Sequence, residues 1–180
     1  MNRPAVVLAV SLLALTAFSA ATPRTLQVIP LSKDGEVLVS FTLGEQLTDD
    51  IRAAIQSGLT VKFVYKVYLR RSAVIWFDRT VASATVTASV RYDTLTRQYH
   101  VSRSVDDRIE WADTTESEEA AWSALTNDFV RMSLFHGVQL EPNAEYYVRV
   151  QAHTTPRNSS FIWPWELDDV MGSAKFTFVR

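Results

Sequence analysis

Apolar and polar residues alternate through much of the chain, which is the pattern of β-strands that bury one face. The clearest run is 59–71, whose apolar side chains occupy every second position. The opposite face of that run carries Lys62, Lys66 and Arg70. A helix would also align these three cations, but the many β-branched and aromatic residues favour a strand. The same alternation predicts further strands at 26–30, 37–43, 81–92, 96–103, 146–153 and 174–178.

Two other segments have helical features. Thr48 is suited to cap a short helix that ends at Gly58, since two aspartates follow the threonine in the first turn. A longer helix is predicted over 116–132. Its apolar positions recur at intervals of three and four residues: Trp122, Leu125, Phe129 and Met132. The acidic segment 105–119 is interpreted as a solvated loop leading into this helix, because it lacks the spacing and the internal glycine of an EF-hand calcium loop.

Turn-forming residues separate most of the alternating runs, among them Asp34-Gly35 and Pro142-Asn143. Strands joined by such short connections pair in an antiparallel manner. We therefore predict a mainly β fold: an antiparallel β-sandwich-like single domain with two peripheral helices.

Residues 1–21 have the pattern of a cleavable signal peptide. Arg3 supplies the positive charge, residues 5–18 form the apolar core, and Ser19-Ala20-Ala21 offers a cleavage site. The apolar core is too short to span a bilayer comfortably. We therefore expect a single mainly β domain, 22–180, released into the periplasm or, alternatively, outside the cell.

Composition narrows the possible functions. The chain has no cysteine, which excludes disulfides, thiolate metal sites, a cysteine nucleophile and a lipidated cysteine after the signal. Its net charge is −2, whereas non-specific nucleic-acid binding needs a basic excess. We therefore expect no nucleic-acid partner, and no later apolar run predicts an integral membrane span in the mature chain.

No catalytic, metal-binding or cofactor-binding motif is recognisable. His100, His136 and His153 lack the spacing of zinc ligands, and neither a nucleophile elbow nor a phosphate-binding glycine loop is present. An enzyme of unfamiliar type would need two of these histidines, or one with Asp78 or Asp93, to converge in a pocket. We predict no catalytic residues and no cofactor.

The candidate contact residues are aromatic and basic. Four aromatic side chains fall in or beside predicted loops: Trp76, Phe77, Trp163 and Trp165. They could form a docking patch, a sugar platform or a membrane-interface anchor, or they could close one end of the sandwich. The cations Lys62, Lys66 and Arg70 could contact lipid phosphates or an acidic partner. Alternatively, such lysines protect an edge strand from aggregation.

Several of these segments also resemble a known bacterial family. The segments are Trp76-Phe77-Asp78, Val81-Ala82-Ser83, the run from Tyr92 to Ser102 and the run from Leu140 to Tyr146. They are similar to the domain of unknown function family 4390, and the similarity extends over about 26–180. The resemblance implies export and, in some bacteria, a gene beside that of a membrane sensor kinase. It implies no activity, and many relatives carry tryptophans where this chain has Ala73-Val74-Ile75.

Taken together, these features predict an exported cell-envelope protein that binds a protein partner without catalysing a reaction. A membrane-associated protein such as a sensor kinase is the partner that the resemblance implies. The first alternative is a periplasmic module that binds a small ligand or a glycan. The second is an uncharacterised hydrolase that uses histidine and carboxylates.

Overall fold

The computed structural model describes residues 26–44, 46–72, 78–155 and 170–179. The predicted signal peptide and the aromatic residues Trp76, Phe77, Trp163 and Trp165 lie outside these ranges. Within them the chain forms nine strands and two helices. In chain order these are β1 (Leu26–Lys33), β2 (Glu36–Leu43), α1 (Asp49–Gln56), β3 (Val61–Arg71), β4 (Arg79–Asp93), β5 (Gln98–Val105), β6 (Arg108–Thr115), α2 (Glu118–Thr126), β7 (Phe129–Ser133), β8 (Glu145–Thr155) and β9 (Val170–Thr177).

The strands form two antiparallel sheets that pack together. The larger sheet has the order β6-β5-β4-β3-β8-β9, and the smaller has the order β1-β2-β7. The smaller sheet contacts the inner face of β8 and β9, while α1 and α2 cover the part formed by β3 to β6. This architecture confirms the predicted mainly β, antiparallel sandwich-like fold with two helices. Neither helix of the described residues is long and apolar enough to cross a membrane.

Strand β3 confirms the strongest sequence pattern. Every second residue from Val61 to Leu69 is buried, and Phe63 and Tyr65 are fully enclosed, whereas Lys62 and Lys66 are exposed. The alternation arises because successive side chains of a strand point to opposite faces of the sheet. One face of β3 therefore lies in the core and the other faces outward.

Helix α1 also forms as its residues predict. The Thr48 hydroxyl accepts a hydrogen bond from the Ile51 N–H at 3.4 Å, which satisfies one of the free donors of the first turn. Gly58 follows the helix with a φ of +85°, a conformation that glycine adopts without the steric cost met by other residues.

The acidic segment 105–119 is not a loop, and that prediction is wrong. Strand β6 pairs with β5 along the segment, and Asp106 and Asp107 form the turn between them with φ angles of 46° and 65°. Two adjacent residues with positive φ are typical of a tight hairpin turn. Nearly all of β6 is exposed, so its residues show no apolar alternation that could have revealed the strand.

The predicted helix 116–132 is also too long. Helix α2 ends at Thr126, and Phe129 and Met132 belong to the following strand β7. Leu125 and Phe129 are both fully buried in one core, although they lie on different elements. Their four-residue spacing therefore imitates a helical stripe, although the helix ends between them.

Candidate functional site

The three cations singled out in the sequence lie on a central strand. β3 has β4 on one side and β8 on the other, and the edges of this sheet are β6 and β9. The interpretation of Lys62, Lys66 and Arg70 as guards of a sheet edge is therefore wrong. They project from the middle of the outer face of the six-stranded sheet, opposite the core.

Strand pairing places a fourth cation beside them. Tyr68 on β3 is paired with Arg149 on β8, and Arg70 is paired with Tyr147. Because directly paired residues lie on the same face of a sheet, Arg149 joins the outer row. We call Lys62, Lys66, Arg70 and Arg149 the cationic face. Within the described ranges none of the four forms an ion pair with a carboxylate.

Tyr147 holds two of these cations in place. The Cζ atoms of Arg70 and Arg149 lie 5.6 and 5.8 Å from the centroid of its ring. The Tyr147 hydroxyl donates a hydrogen bond to the Asp78 carboxylate at 2.7 Å, and Arg70 Nη2 donates to the Asp78 carbonyl at 2.8 Å. Burial and the bond to Asp78 raise the pKa of Tyr147. The Tyr147 ring thus contacts both guanidinium groups, and Arg70 is also held by its bond to Asp78.

A groove runs beside the cationic face, over β4, β5 and β6. It has a volume of about 650 Å³ and is lined by Thr60, Ser89, Arg91, His100, Val101, Ser102, Ala112, Asp113 and Thr114. The hydroxyls of Ser89 and Ser102 lie 2.8 Å apart on its floor. Lys62 is paired with Ser89, so the groove opens next to the cationic face.

The histidines do not converge. His100 is on β5 and His153 is on β8, with β4 and β3 between them, so three strand spacings of about 14 Å separate them across the sheet. The register also offsets them along the strands, because Ser104, not His100, lies level with His153. His136 lies in the connection between β7 and β8. No group of three or more potential metal ligands occurs within the described part of the chain.

His100 does approach Asp93, one of the carboxylates considered as its partner. The distance from His100 Nε2 to the Asp93 carboxylate is 3.9 Å, which is too long for a hydrogen bond. The Asp93 carboxylate instead accepts the N–H groups of Leu95 and Thr96 at 2.8 and 3.2 Å, and these bonds lower its pKa. Asp93 therefore stabilises the turn between β4 and β5.

The candidate aromatic residues lie outside the described residues, but the strands that lead into their two segments, β3 and β8, are described. Ser72 follows the last residue of β3, whereas Thr155 is paired with Lys62 at the beginning of β3. The chain therefore enters 73–77 and 156–169 from opposite ends of the cationic face.

Sequence reasoning missed Arg149 and Tyr147 as members of this surface. The alternation of 146–153 places both on one face of a strand, which was the available signal. Only the pairing of β8 with β3 brings them beside Arg70, and that pairing joins residues about 80 positions apart.

The described residues define a class of protein: a two-sheet antiparallel β protein with an open cationic sheet face. The family described as Domain of unknown function (DUF4390) matches residues 21–158. The chain belongs to this family, which confirms the resemblance seen in its sequence over that range. No curated protein and no solved structure matches the chain.

Proposed function

We propose that this protein is an exported, non-enzymatic accessory module of the cell envelope that binds a membrane-associated protein through its cationic face. The observation that carries the proposal is the set of four cations, Lys62, Lys66, Arg70 and Arg149, grouped around a central strand without carboxylate partners in the described residues. Export is supported by the signal-peptide pattern of residues 1–21.

Two neighbouring basic residues of the same sheet do have carboxylate partners. Arg71 lies at the end of β3 and forms two hydrogen bonds of 2.6 Å with Glu141, and Lys175 on β9 binds Glu145 at 2.9 Å. The cationic face has no such partners within the described ranges. A surface that keeps its cations available attracts an acidic partner from a distance and orients it on contact.

The two lysines of the cationic face repel each other little. Lys62 and Lys66 are four residues apart on a strand, or about 13 Å, which exceeds the screening length of about 8 Å at physiological ionic strength. Their mutual repulsion is therefore weak in the free protein. An acidic partner that excludes water from the face would strengthen each attraction.

The test is a capture experiment with membranes from the source cell. We expect the purified mature chain to cross-link to a membrane protein, and the double variant Lys62→Gln/Lys66→Gln to lose that product. The matched control is Lys33→Gln/Arg108→Gln, which removes two exposed cations elsewhere and should leave the product intact. Equal cross-linking by all three proteins would refute the assignment of this face.

Two further measurements complete the test. Fractionation of cells expressing the full chain should place the processed protein in the envelope, and retention of the unprocessed chain in the cytoplasm would refute export. Trp76→Ala/Phe77→Ala and Trp163→Ala/Trp165→Ala should each weaken cross-linking if the aromatic segments extend the contact surface. Unchanged cross-linking would limit the surface to the cationic face.

A further inference from the structure

We infer that the groove beside the cationic face receives an extended, carboxylate-rich segment of polypeptide from the partner. The inference rests on the proposed function and specifies the chemistry of the partner. Three observations support the inference. They are the hydroxyl side chains on the floor of the groove, the spacing of Lys62 and Lys66 beside that floor, and the distance across the sheet from β3 to its edge strand β6.

The floor is a row of hydroxyl side chains at regular intervals. It begins in the groove at Ser89 and Ser102 and continues beyond the residues that line the groove, along the outer face of β4 and β5. The outer positions of β4 are all serine or threonine over four successive places: Ser83, Thr85, Thr87 and Ser89. Ser102 and Ser104 on β5 are paired with Ser89 and Thr87 and extend the same floor. Each hydroxyl can both donate and accept a hydrogen bond, as the N–H and C=O groups of a polypeptide backbone require.

The repeat of this floor matches an extended chain. Outward-facing residues of a strand recur every second position, at about 6.6 Å. An extended polypeptide repeats at the same interval, so each successive pair of its residues meets the same arrangement of hydroxyls. This match of repeats favours a polypeptide over a polymer of another chemistry.

Cations border the floor on one long side and at one end. Lys62 is paired with Ser89 and Lys66 with Thr85, about 13 Å apart along β3. Arg91 and His100 close the end of the groove beyond Ser89. A bound strand with a carboxylate at every fourth residue would present one acid to each lysine.

Two carboxylates also lie near the floor, and their positions agree with this arrangement. Asp106 lies in the turn between β5 and β6, where its carboxylate accepts the Thr85 N–H at 2.8 Å. Asp113 lines the groove on β6, on the side away from the lysines. From β3 to β6 the sheet spans about 14 Å, which admits one extended chain with its side chains.

Fluorescence anisotropy with the mature protein tests this inference. The probe is a fluorescein-labelled peptide with glutamate at every fourth position and serine or threonine between. We expect saturable binding that weakens with salt, and about tenfold weaker binding by Lys62→Gln/Lys66→Gln. The control Lys33→Gln/Arg108→Gln should bind as the unmodified protein does.

A second variant tests the floor without altering charge. Thr85→Val/Thr87→Val keeps the shape of both side chains and favours the strand, but it removes their hydroxyls. We expect weaker binding of the same peptide with an unchanged melting temperature. A peptide of the same composition with its glutamates clustered should bind less tightly than the spaced probe.

Other outcomes would overturn the inference. Binding of phosphatidylglycerol vesicles or dextran sulfate in preference to the peptide would assign the groove to a lipid surface or an anionic glycan. Absence of peptide binding while membrane cross-linking still depends on Lys62 and Lys66 would refute the inference and leave the proposed function standing. Cross-linking that is independent of these lysines would refute the proposed function itself.

Discussion

The hydroxyl of Tyr65 joins the large sheet to helix α2. Tyr65 is fully buried on β3, and its hydroxyl donates a hydrogen bond to the Leu125 carbonyl at 2.5 Å. Leu125 lies in the last turn of α2, where carbonyls have no partner within the helix. Replacement of Tyr65 by Phe therefore removes a donor that the carbonyl cannot replace from solvent.

The expected loss of stability in Tyr65→Phe can be worked out from the contacts that the substitution leaves unchanged. The Tyr65 ring packs against Phe41 and Phe129 with centroid separations of 5.0 and 4.7 Å, and phenylalanine preserves these contacts. The substitution thus removes the hydrogen bond and leaves the buried Leu125 carbonyl without this donor. Leaving a buried carbonyl without a partner costs about 1–3 kcal/mol, and we expect about 2 kcal/mol for Tyr65→Phe.

Urea unfolding monitored by tryptophan fluorescence measures this change. The midpoint should fall while the slope of the transition stays constant, and the melting temperature should drop by about 4–8 °C. Tyr68→Phe is the matched control, because Tyr68 is on the outer face of the same strand, and it should change stability by less than about 0.5 kcal/mol. Equal midpoints for Tyr65→Phe and the unmodified protein would refute the role given to the hydroxyl.

Three further substitutions test the packing and the turns. A Cβ atom at Gly172 would lie 2.1 Å from the Leu26 carbonyl oxygen, so Gly172→Ala should separate β1 from β9 and destabilise the fold by about 1–3 kcal/mol in urea unfolding. Arg131 has a φ of +51°, so Arg131→Gly should relieve backbone strain and raise the melting temperature by one or a few degrees. The lowered pKa of Asp93 means that its ionised form stabilises the fold above its ordinary pKa near 4, and that this contribution disappears as the pH falls through the lower folded value. The stability difference between the unmodified protein and Asp93→Asn, from urea midpoints, should therefore shrink on acidification from pH 6.

Each of these has a result that would contradict it. The control for Gly172→Ala is Ser173→Ala, because Ser173 is the next residue and is exposed. Equal stability of Gly172→Ala and Ser173→Ala would argue against a close approach of β1 and β9. A lower melting temperature for Arg131→Gly would show that the Arg131 side chain stabilises the fold by more than its positive φ destabilises it. A difference between the unmodified protein and Asp93→Asn that is constant with pH would show that the turn does not depend on the charge.

The sequence predicted α1 and β3 correctly, because the residues that define each of these elements are close together in the chain. The cap at Thr48 and the glycine at position 58 bound α1, and the alternation of 59–71 marks β3, because these features depend on residues within one turn or one strand. The wrong predictions share another cause. β6 is exposed along nearly its whole length, and Phe129 continues the spacing of α2 from a different element, so neither leaves a distinctive local pattern.

The sequence by itself determined which side chains share a face. The period of two along a strand places Lys62, Lys66 and Arg70 together whatever the strand pairs with. Only the tertiary structure decided that this strand is central, that Arg149 joins the row and that β4 supplies a floor of hydroxyls. The physical reason is that strands pair through backbone N–H and C=O groups, which are common to almost all residues. Strand order is therefore settled by how the two sheets and helices bury their apolar faces together.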